Sequence, residues 1–361
     1  MTTVTQPVTT TESLILPAVV RAEIAANAKS VDKGEKDARY VLNLLGDAEL
    51  LSLGAPTNES GKLLEMARVV REVSAEDLSA GFTLWADRMT LEYLMQASTD
   101  YSLGLAEQLR SGQRPGVTGM AGAFKEAAGC GEIDLSASRV EGGWLINGKL
   151  NWASNLYEDA IVVTAAKAAD GTRFLFAFEA GHTGVEFGQP FGLLGLNATA
   201  SAWVGFDSVF IPDVQVLTED FTNFIKTVRP TFVVLQTAEC IGVAEAALAS
   251  GAKRLTGVNE SFSQDHQQAA ARVADVITRQ EEIISRIGND QVSSVELLEL
   301  RLDAAEVAVA TANIEVRVAG GAGYAKSSPA SRRFREAAFI PVQSPSEGQL
   351  RWELARAREN A

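Results

Sequence analysis

Trp152 and Ser154 stand two residues apart in the middle of the chain. They follow the pair Asn147-Gly148, which is typical of a tight hairpin turn and predicts a strand through the Trp-x-Ser segment. Because alternate residues of a strand point to the same face, the indole and the hydroxyl would lie side by side. Such a pair suits a planar heteroaromatic cofactor, which needs an apolar face and a polar partner at its edge. The alternative interpretation is an ordinary core aromatic.

A second group of candidate residues lies near the carboxyl end of the chain. Residues 320–324 read Gly-Gly-Ala-Gly-Tyr and permit a tight turn with close backbone approach to a ligand. Residues 332–337 follow as Arg-Arg-Phe-Arg-Glu-Ala, and then come Gln343, Ser344 and Pro345. Gln343 and Ser344 form hydrogen bonds but do not titrate near neutral pH. A polar turn ahead of Pro345 is the alternative to a role in a site.

The spacing of apolar residues divides the chain into three predicted domains. Residues 1–112 show helical spacing, residues 113–218 show short strand-like runs, and residues 219–361 return to long helical patterns. The predicted fold is therefore α+β and mainly helical, with an amino-terminal helical domain, a small β-barrel or sandwich and a carboxy-terminal four-helix bundle. The long helices are predicted over 232–255, 264–287 and 294–318.

Composition limits the classes of function. The 361 residues are 46% hydrophobic and 22% charged, enough for two or three lobes around a sizeable core. A net charge of -14 argues against binding to nucleic acid or to an anionic membrane surface. No apolar run approaches the roughly 20 residues that cross a bilayer, and we expect a cytoplasmic protein. The two cysteines and two histidines are far apart in the sequence, so neither a disulfide framework nor a metal site is predicted.

Together these segments resemble the acyl-CoA dehydrogenase superfamily. Its members carry a Gly-Gly-x-Gly-[Tyr/Phe] turn, an Arg-[Asp/Glu]-Ala helix start and a Tyr-Glu-Gly-Thr loop at the spacing seen here. Residues 147–155, Asn-Gly-Lys-Leu-Asn-Trp-Ala-Ser-Asn, resemble the strand of the family that contacts flavin, and residues 191–199 and 209–212 resemble a later strand pair. The resemblance extends from Leu42 to Leu354. It implies the family's helix, sheet and helix architecture around a bound flavin, either FAD or FMN.

The resemblance also assigns residues to that flavin. Trp152 would pack against the flavin ring, and Ser154 would bond the ring near its N5 atom. The remaining cofactor positions that it implies are Phe124, Asn155, Arg317, Gly320 and Gly321.

Elements that contact phosphate groups in the family are altered here. Residues 124–131, Phe-Lys-Glu-Ala-Ala-Gly-Cys-Gly, stand in place of its Thr-Glu-Pro-Gly-x-Gly-Ser loop. Residues 255–259, Leu-Thr-Gly-Val-Asn, replace its Arg-x-x-Phe-Gly element, and Arg317 replaces a glutamine. We therefore expect weaker contacts to CoA and to the adenine side of FAD.

The residue that defines the family's best-known reaction is replaced as well. In its dehydrogenases, a glutamate in the Tyr-Glu-Gly-Thr loop removes the α-proton of a thioester. Ser344 stands at that place here, and a second family position for the base holds Phe232. The change resembles two-component flavin monooxygenases related to dibenzothiophene and alkanesulfinate monooxygenases. Those enzymes often carry His-Asp-Pro where this chain has Gln343, Ser344 and Pro345.

The sequence thus favours a monooxygenase that takes reduced flavin, from a flavin reductase, and O2 to a small substrate. Gln343 and Ser344 are the expected catalytic residues, together with Arg229 as a clamp for an anionic group at a predicted helix start. One alternative is an FAD-dependent dehydrogenase whose base is displaced to Glu239 or Glu347. The other is a non-catalytic scaffold that binds flavin or another ligand. We expect a homotetramer or homodimer, because helix 294–318 carries an apolar stripe.

Overall fold

The computed structural model describes residues 14–56, 61–288 and 292–359. The amino-terminal part is helical, as predicted, although residues 1–13 of the first predicted domain lie outside the described residues. In chain order its helices are α1 (Ala18–Asp32), α2 (Tyr40–Asp47), α3 (Leu63–Glu76), α4 (Leu78–Ala97) and α5 (Asp100–Arg110).

Helices α3 and α4 build the core of this part. Apolar residues of α3 recur three and four positions apart and are buried, whereas α4 is buried on nearly its whole surface. Asp77 begins α4 as an N-cap, because its carboxylate accepts a hydrogen bond from the Ser79 amide at 2.9 Å. Because α4 is buried on nearly every face, its side chains contact the neighbouring elements all round. Some of them line the site described below.

The middle part contains strands β1 (Gly116–Gly119), β2 (Leu135–Val140), β3 (Gly143–Ala153), β4 (Ile161–Ala168), β5 (Arg173–Glu179), β6 (Val185–Phe187), β7 (Ala202–Pro212) and β8 (Val216–Thr218), with helix α6 (Ala121–Ala128) after β1. The strands form one mixed sheet in the order β6-β7-β3-β2-β4-β5-β8, and β1 pairs with β4. Strands β1 and β2 run parallel to β4. The predicted strand-rich middle part is thus confirmed, and its strands form one mixed sheet.

The predicted hairpin turn at Asn147-Gly148 is wrong. Strand β3 continues through both residues, and the turn between β2 and β3 lies at residues 141–142. Gly148 has φ +132° at an irregularity in the pairing of β3 with β7, which explains the glycine. Asn147 accepts a hydrogen bond from the Ser208 amide at 2.8 Å through Oδ1, so its side chain serves the sheet and not a turn.

The carboxy-terminal part is again helical. It contains α7 (Phe221–Ala252), α8 (Ser263–Arg286), α9 (Ser294–Tyr324), α10 (Pro329–Ala337) and α11 (Glu347–Glu359). Helix α9 is interrupted at Gly320, whose φ of 60° and ψ of -146° are not helical. This kink is the Gly-rich turn that the sequence indicated. The predicted boundaries at 112/113 and 218/219 fall between α5 and β1 and between β8 and α7, and the division into three domains stays a prediction.

The predicted start of α7 is wrong. We expected a helix beginning near Pro230, but α7 begins at Phe221 and continues through that proline. Proline lacks the amide that would bond the preceding turn, and it normally ends or kinks a helix. Here Phe224, Ile225 and Val228 are buried before it, so packing holds the first turns in place.

Helix α7 also corrects the expectation that no segment is long and apolar enough to cross a membrane. It passes that test by length and composition, but 78% of its most apolar window is buried inside the protein. It packs against α3, α4, α8 and α9. Its apolar character is therefore explained by its position in the core, and the cytoplasmic location stays a prediction.

The apolar stripe of α9, which was predicted to pack against a second copy of the chain, packs inside the chain instead. Leu297, Leu300, Ala304 and Val307 are all buried within the chain, in the same core as α7. The stripe packs α9 on α7 and is not left exposed for a second copy. It therefore gives no support to oligomer formation.

Candidate active site

A cavity of about 620 Å³ lies where the helical parts meet the sheet. Its walls come from α4, the end of β1, β3, loop 193–195, α7 and the segment from α10 to α11. The lining residues used below are Phe82, Trp85, Trp152, Ser154, Ser201, Phe232, Phe339, Gln343 and Ser344.

One wall of the cavity carries a chain of hydroxyl groups. Ser154 Oγ lies 2.7 Å from Ser201 Oγ, which lies 2.8 Å from Thr199 Oγ1. Thr199 in turn donates to the carbonyl oxygen of Leu196 at 2.8 Å. Ser154 comes directly after the end of strand β3, and the segment entering β7 supplies the other two hydroxyls. Loop and strand are thus tied together at the cavity surface.

Trp152 stands at the mouth of the cavity beside this chain. Its side chain is 62% exposed, and its ring lies 4.3 Å from that of Phe191, centroid to centroid. An exposed indole next to hydroxyl oxygens offers an aromatic face and a polar edge to the same ligand. The predicted pair Trp152 and Ser154 therefore faces one cavity.

Gln343 and Ser344 form another part of the cavity wall. Gln343 donates through Nε2 to Glu239 Oε2 at 2.8 Å and accepts from Arg301 Nη2 at 3.3 Å. The carbonyl oxygen of Ser344 accepts a hydrogen bond from Gln236 Nε2 at 2.9 Å. The Ser344 hydroxyl is a buried oxygen with no hydrogen-bond partner among the described residues. This part of the wall is held in position by these hydrogen bonds, and the Ser344 hydroxyl lies within it.

Glu239 lies behind this wall. It is 1% exposed and does not line the cavity, and its Oε1 atom has no hydrogen-bond partner in the described part of the chain. Burial raises the pKa of Glu239 to about 8, against the opposing effects of the Gln343 hydrogen bond and the Arg301 charge. The amide of Gln343 thus separates this carboxyl group from the cavity.

Aromatic rings form the floor of the cavity. Phe82 stacks on Trp85 at 5.6 Å and meets Phe339 edge-on at 4.9 Å, in each case centroid to centroid. Phe232 lies 4.9 Å from Trp85 and 4.4 Å from Phe124. The space between α4 and α7 is therefore filled with side chains, and the floor is apolar.

The described residues that line the cavity include no carboxylate and no imidazole. Glu347, one of the two candidates for a displaced base, pairs with Arg351 and lines a different groove of about 700 Å³. Nor do the described residues contain a cluster of three or more His, Cys, Asp or Glu that could hold a metal ion. The described lining of the cavity therefore contains no carboxylate or imidazole that could remove a proton from a carbon atom of a substrate.

Other predicted site residues lie outside the described lining of the cavity. Asn155 is buried with φ +61°, and its Nδ2 donates to the carbonyl oxygens of Thr83 at 3.0 Å and Gly116 at 3.1 Å. It ties the end of β3 to α4 and β1. Phe124 packs behind Phe232. Their roles at a cofactor stay predictions.

The remaining predicted residues are more distant from the lining. Arg229 forms an ion pair with Glu353. Arg317 lies over the ring of Phe262 at 4.7 Å and borders the second groove. Gly320 and the adjacent glycine of the α9 kink are exposed. The cavity therefore brings together four of the predicted residues, namely Trp152, Ser154, Gln343 and Ser344.

Sequence reasoning missed the residues that support these four. Thr199 and Ser201 lie in the irregular segment before β7, 45 and 47 positions from Ser154, so no local pattern in the sequence pairs them with it. Arg301 had only a weak signal, a lone arginine within an apolar helical stripe. Such a residue needs buried partners, which only the folded chain reveals.

No family model matches the chain. Benzylmalonyl-CoA dehydrogenase of Aromatoleum aromaticum is 24% identical over 356 residues, covering 92% of this chain and 93% of the relative. Butyryl-CoA dehydrogenase from Megasphaera elsdenii has a TM-score of 0.82 at 16% identity, covering 96% of this chain and 99% of that one. PigA with FAD and proline has a TM-score of 0.79 at 15% identity, covering 96% and 98%. The chain therefore has the acyl-CoA dehydrogenase fold.

Proposed function

We propose that this chain, which has the acyl-CoA dehydrogenase fold, is a flavin-dependent oxidoreductase that uses reduced flavin and O2 to oxygenate a small substrate. Its similarity to flavin enzymes along almost the whole chain supports the oxidoreductase class. The observation that carries the finer proposal is the cavity wall. Gln343 and Ser344 stand there, and the described lining contains no carboxylate that would take a proton from a thioester.

The cavity fits a flavin ring. Trp152 offers its exposed face, while Ser154 and Ser201 offer oxygens for the polar edge of the ring. The FAD in the PigA complex supports FAD over FMN as the cofactor. Bound flavin would supply two electrons to O2, so that one oxygen atom enters the product and the other leaves as water.

The chain's own residues would bind the substrate opposite Trp152. The amide of Gln343 keeps one N–H and one acceptor position beyond its bonds to Glu239 and Arg301. These positions of the Gln343 amide would hold a polar group of the substrate. The rings of Phe82 and Phe339 would receive the apolar part and exclude water.

The second candidate function is an acyl-CoA dehydrogenase, which the named relatives favour. Glu239 is the residue that would serve it, because it is the carboxyl group directly behind Gln343. Its pKa of about 8 means that it would act as a base only after losing its proton. It would reach a thioester only if Gln343 moved aside. Glu347, in the other groove, offers less support.

Mass spectrometry of products formed under ¹⁸O2 tests the proposal. The protein would be combined with FAD, a flavin reductase, NADH and a panel of small sulfur, nitrogen and aromatic compounds. We expect a product that gains one ¹⁸O atom and depends on this protein. If the whole panel stays unlabelled while an acyl-CoA is oxidised, the dehydrogenase function replaces the proposal.

A further inference from the structure

The hydroxyl chain beside Trp152 has a fixed direction. It contains three contacts: Ser154 to Ser201 at 2.7 Å, Ser201 to Thr199 at 2.8 Å, and Thr199 to the Leu196 carbonyl oxygen at 2.8 Å. Each contact needs one hydrogen, and each hydroxyl owns one. The three hydrogens are therefore just sufficient for the three contacts.

The assignment begins at Leu196. A carbonyl oxygen only accepts, so the hydrogen of Thr199 must point to it. The contact between Thr199 and Ser201 then requires the hydrogen of Ser201, and the contact between Ser201 and Ser154 requires the hydrogen of Ser154. Any other arrangement leaves one of the three contacts, at 2.7 or 2.8 Å, as two oxygens with no hydrogen between them, either two hydroxyl oxygens or the Thr199 hydroxyl and the Leu196 carbonyl. All three hydrogens point away from the cavity.

This direction determines what the cavity wall offers a ligand. Ser154 and Ser201 both line the cavity, and with their hydrogens committed they present only acceptor lone pairs. A ligand atom at this wall is bound well if it carries a hydrogen and poorly if it is itself an acceptor. Thr199 is fully buried and Ser201 is 7% exposed, so bulk water does not compete for the inner contacts.

We infer that Thr199 and Ser201 are positioning residues that hold Ser154 as an acceptor and thereby make the site selective for reduced flavin. This inference rests on the proposed function, because it takes the ligand to be a flavin with its N5 edge at Ser154. The N5 atom of oxidised flavin is an acceptor, whereas that of reduced flavin carries a hydrogen. Only the reduced form completes the hydrogen bond.

The expected preference is about tenfold or more in Kd, the difference between a formed hydrogen bond and two facing acceptors. By linkage, each tenfold preference raises the midpoint potential of bound FAD by about 30 mV relative to free FAD. Both quantities are measured without turnover. The dissociation constants come from anaerobic titration of oxidised and dithionite-reduced FAD.

Two variants of Thr199 separate the direction of the chain from its packing. Thr199→Ser keeps the hydroxyl and should keep the preference. Thr199→Val keeps the shape but releases the hydrogen of Ser201, which can then turn to Ser154 and free the Ser154 hydrogen for the cavity. The Leu196 carbonyl oxygen still accepts from the Thr199 backbone amide at 3.3 Å, which remains in both variants. Thermal melts verify that both fold.

Ser201→Ala frees the Ser154 hydrogen directly and is the second test. Ser136→Ala, on the exposed side of β2, is the matched control. We expect the ratio of the oxidised to the reduced Kd to fall several-fold in Thr199→Val and Ser201→Ala and to stay unchanged in Thr199→Ser and Ser136→Ala. If the valine and serine variants of Thr199 show equal ratios, or if wild-type protein binds both forms equally, the inference is wrong and the proposed function stands. If neither form of FAD binds, both fail.

Discussion

Gln343 donates a hydrogen bond through Nε2 to Glu239 Oε2 at 2.8 Å, although 104 positions separate the two residues in the chain. Arg301 completes the group by donating to Gln343 Oε1. The cavity wall thus presents an amide, and a fully buried carboxyl group lies directly behind it. In a site built around a carboxylate base, the carboxylate itself would line the cavity. Here the Gln343 amide takes that place.

The buried Glu239 should make stability depend on pH. Its pKa is about 8 in the folded chain, above the ordinary value of 4.5, so the folded state holds a proton that the unfolded state releases in this window. Stability from this group is therefore greatest below about pH 4.5 and is lost as pH rises toward 8. Arg301 and Cys240 are the charged and titratable groups that face it.

Glu239→Gln removes this dependence and keeps a partner for Gln343. We compare the free energy of unfolding of the variant with that of the wild type at the same pH. We expect this difference to shift in favour of the variant by on the order of a few kcal/mol between pH 5 and pH 9. Denaturant unfolding at both pH values measures the gain, and each comparison is made at the same pH, so other buried carboxyls cancel. A stability difference between variant and wild type that is the same at both pH values would show that Glu239 does not titrate in this range.

Trp152→Ala should weaken FAD binding by about 1 to 3 kcal/mol, because the exposed indole face is lost from the cavity mouth. Fluorescence titration with FAD measures the change. Trp203→Ala is the control, since Trp203 lies on β7 but does not line the cavity. Equal FAD affinities in the two variants would show that Trp152 does not contribute to flavin binding.

Phe232→Ala should destabilise the chain by about 3 to 5 kcal/mol, since it leaves a hole between the rings of Trp85 and Phe124. Phe232→Leu retains most of the volume and should cost clearly less. Chemical denaturation of both variants provides the comparison. A cost below 1 kcal/mol for the alanine variant would mean that the aromatic floor is loosely packed.

The oligomeric state stays a prediction, and the stripe of α9 does not support it because that stripe is already buried within the chain. We expect a homotetramer or homodimer, since proteins with this fold typically form oligomers. The second groove, bordered by Arg272 and Arg317 between α8 and α9, remains open to a neighbouring copy. Light scattering at micromolar concentration measures the mass, and a value near 38.4 kDa, that of one chain, would contradict the expectation.

Much of the fold could be predicted from the sequence, because helical spacing and alternation are local patterns. The order of helices, sheet and helices was correct, and the kink at Gly320 follows from its glycines. The turn at Asn147-Gly148 and the helix start at Pro230 were wrong, since the sheet and the core overrode local preference.

The candidate site was less accessible to sequence reasoning. Trp152 and Ser154 are two residues apart at the end of β3, and Gln343 and Ser344 are adjacent, so local spacing found them. The contact of Ser154 with Ser201 joins positions 47 apart, and that of Gln343 with Glu239 joins positions 104 apart. Contacts over such separations depend on how the sheet and bundle pack. No periodic pattern in the sequence encodes them.

Anaerobic mixing of the FAD-loaded protein with acyl-CoA thioesters tests the central claim most directly. The claim is that the described cavity wall, with Gln343 and Ser344, supplies no base for the α-proton. Butyryl-CoA and isovaleryl-CoA would each be added in excess while the visible absorbance of the flavin is followed, with dithionite as the positive control. We predict that the thioesters leave the absorbance unchanged and that dithionite bleaches it. Rapid bleaching by either thioester would contradict the account and make Glu239 the first residue to replace.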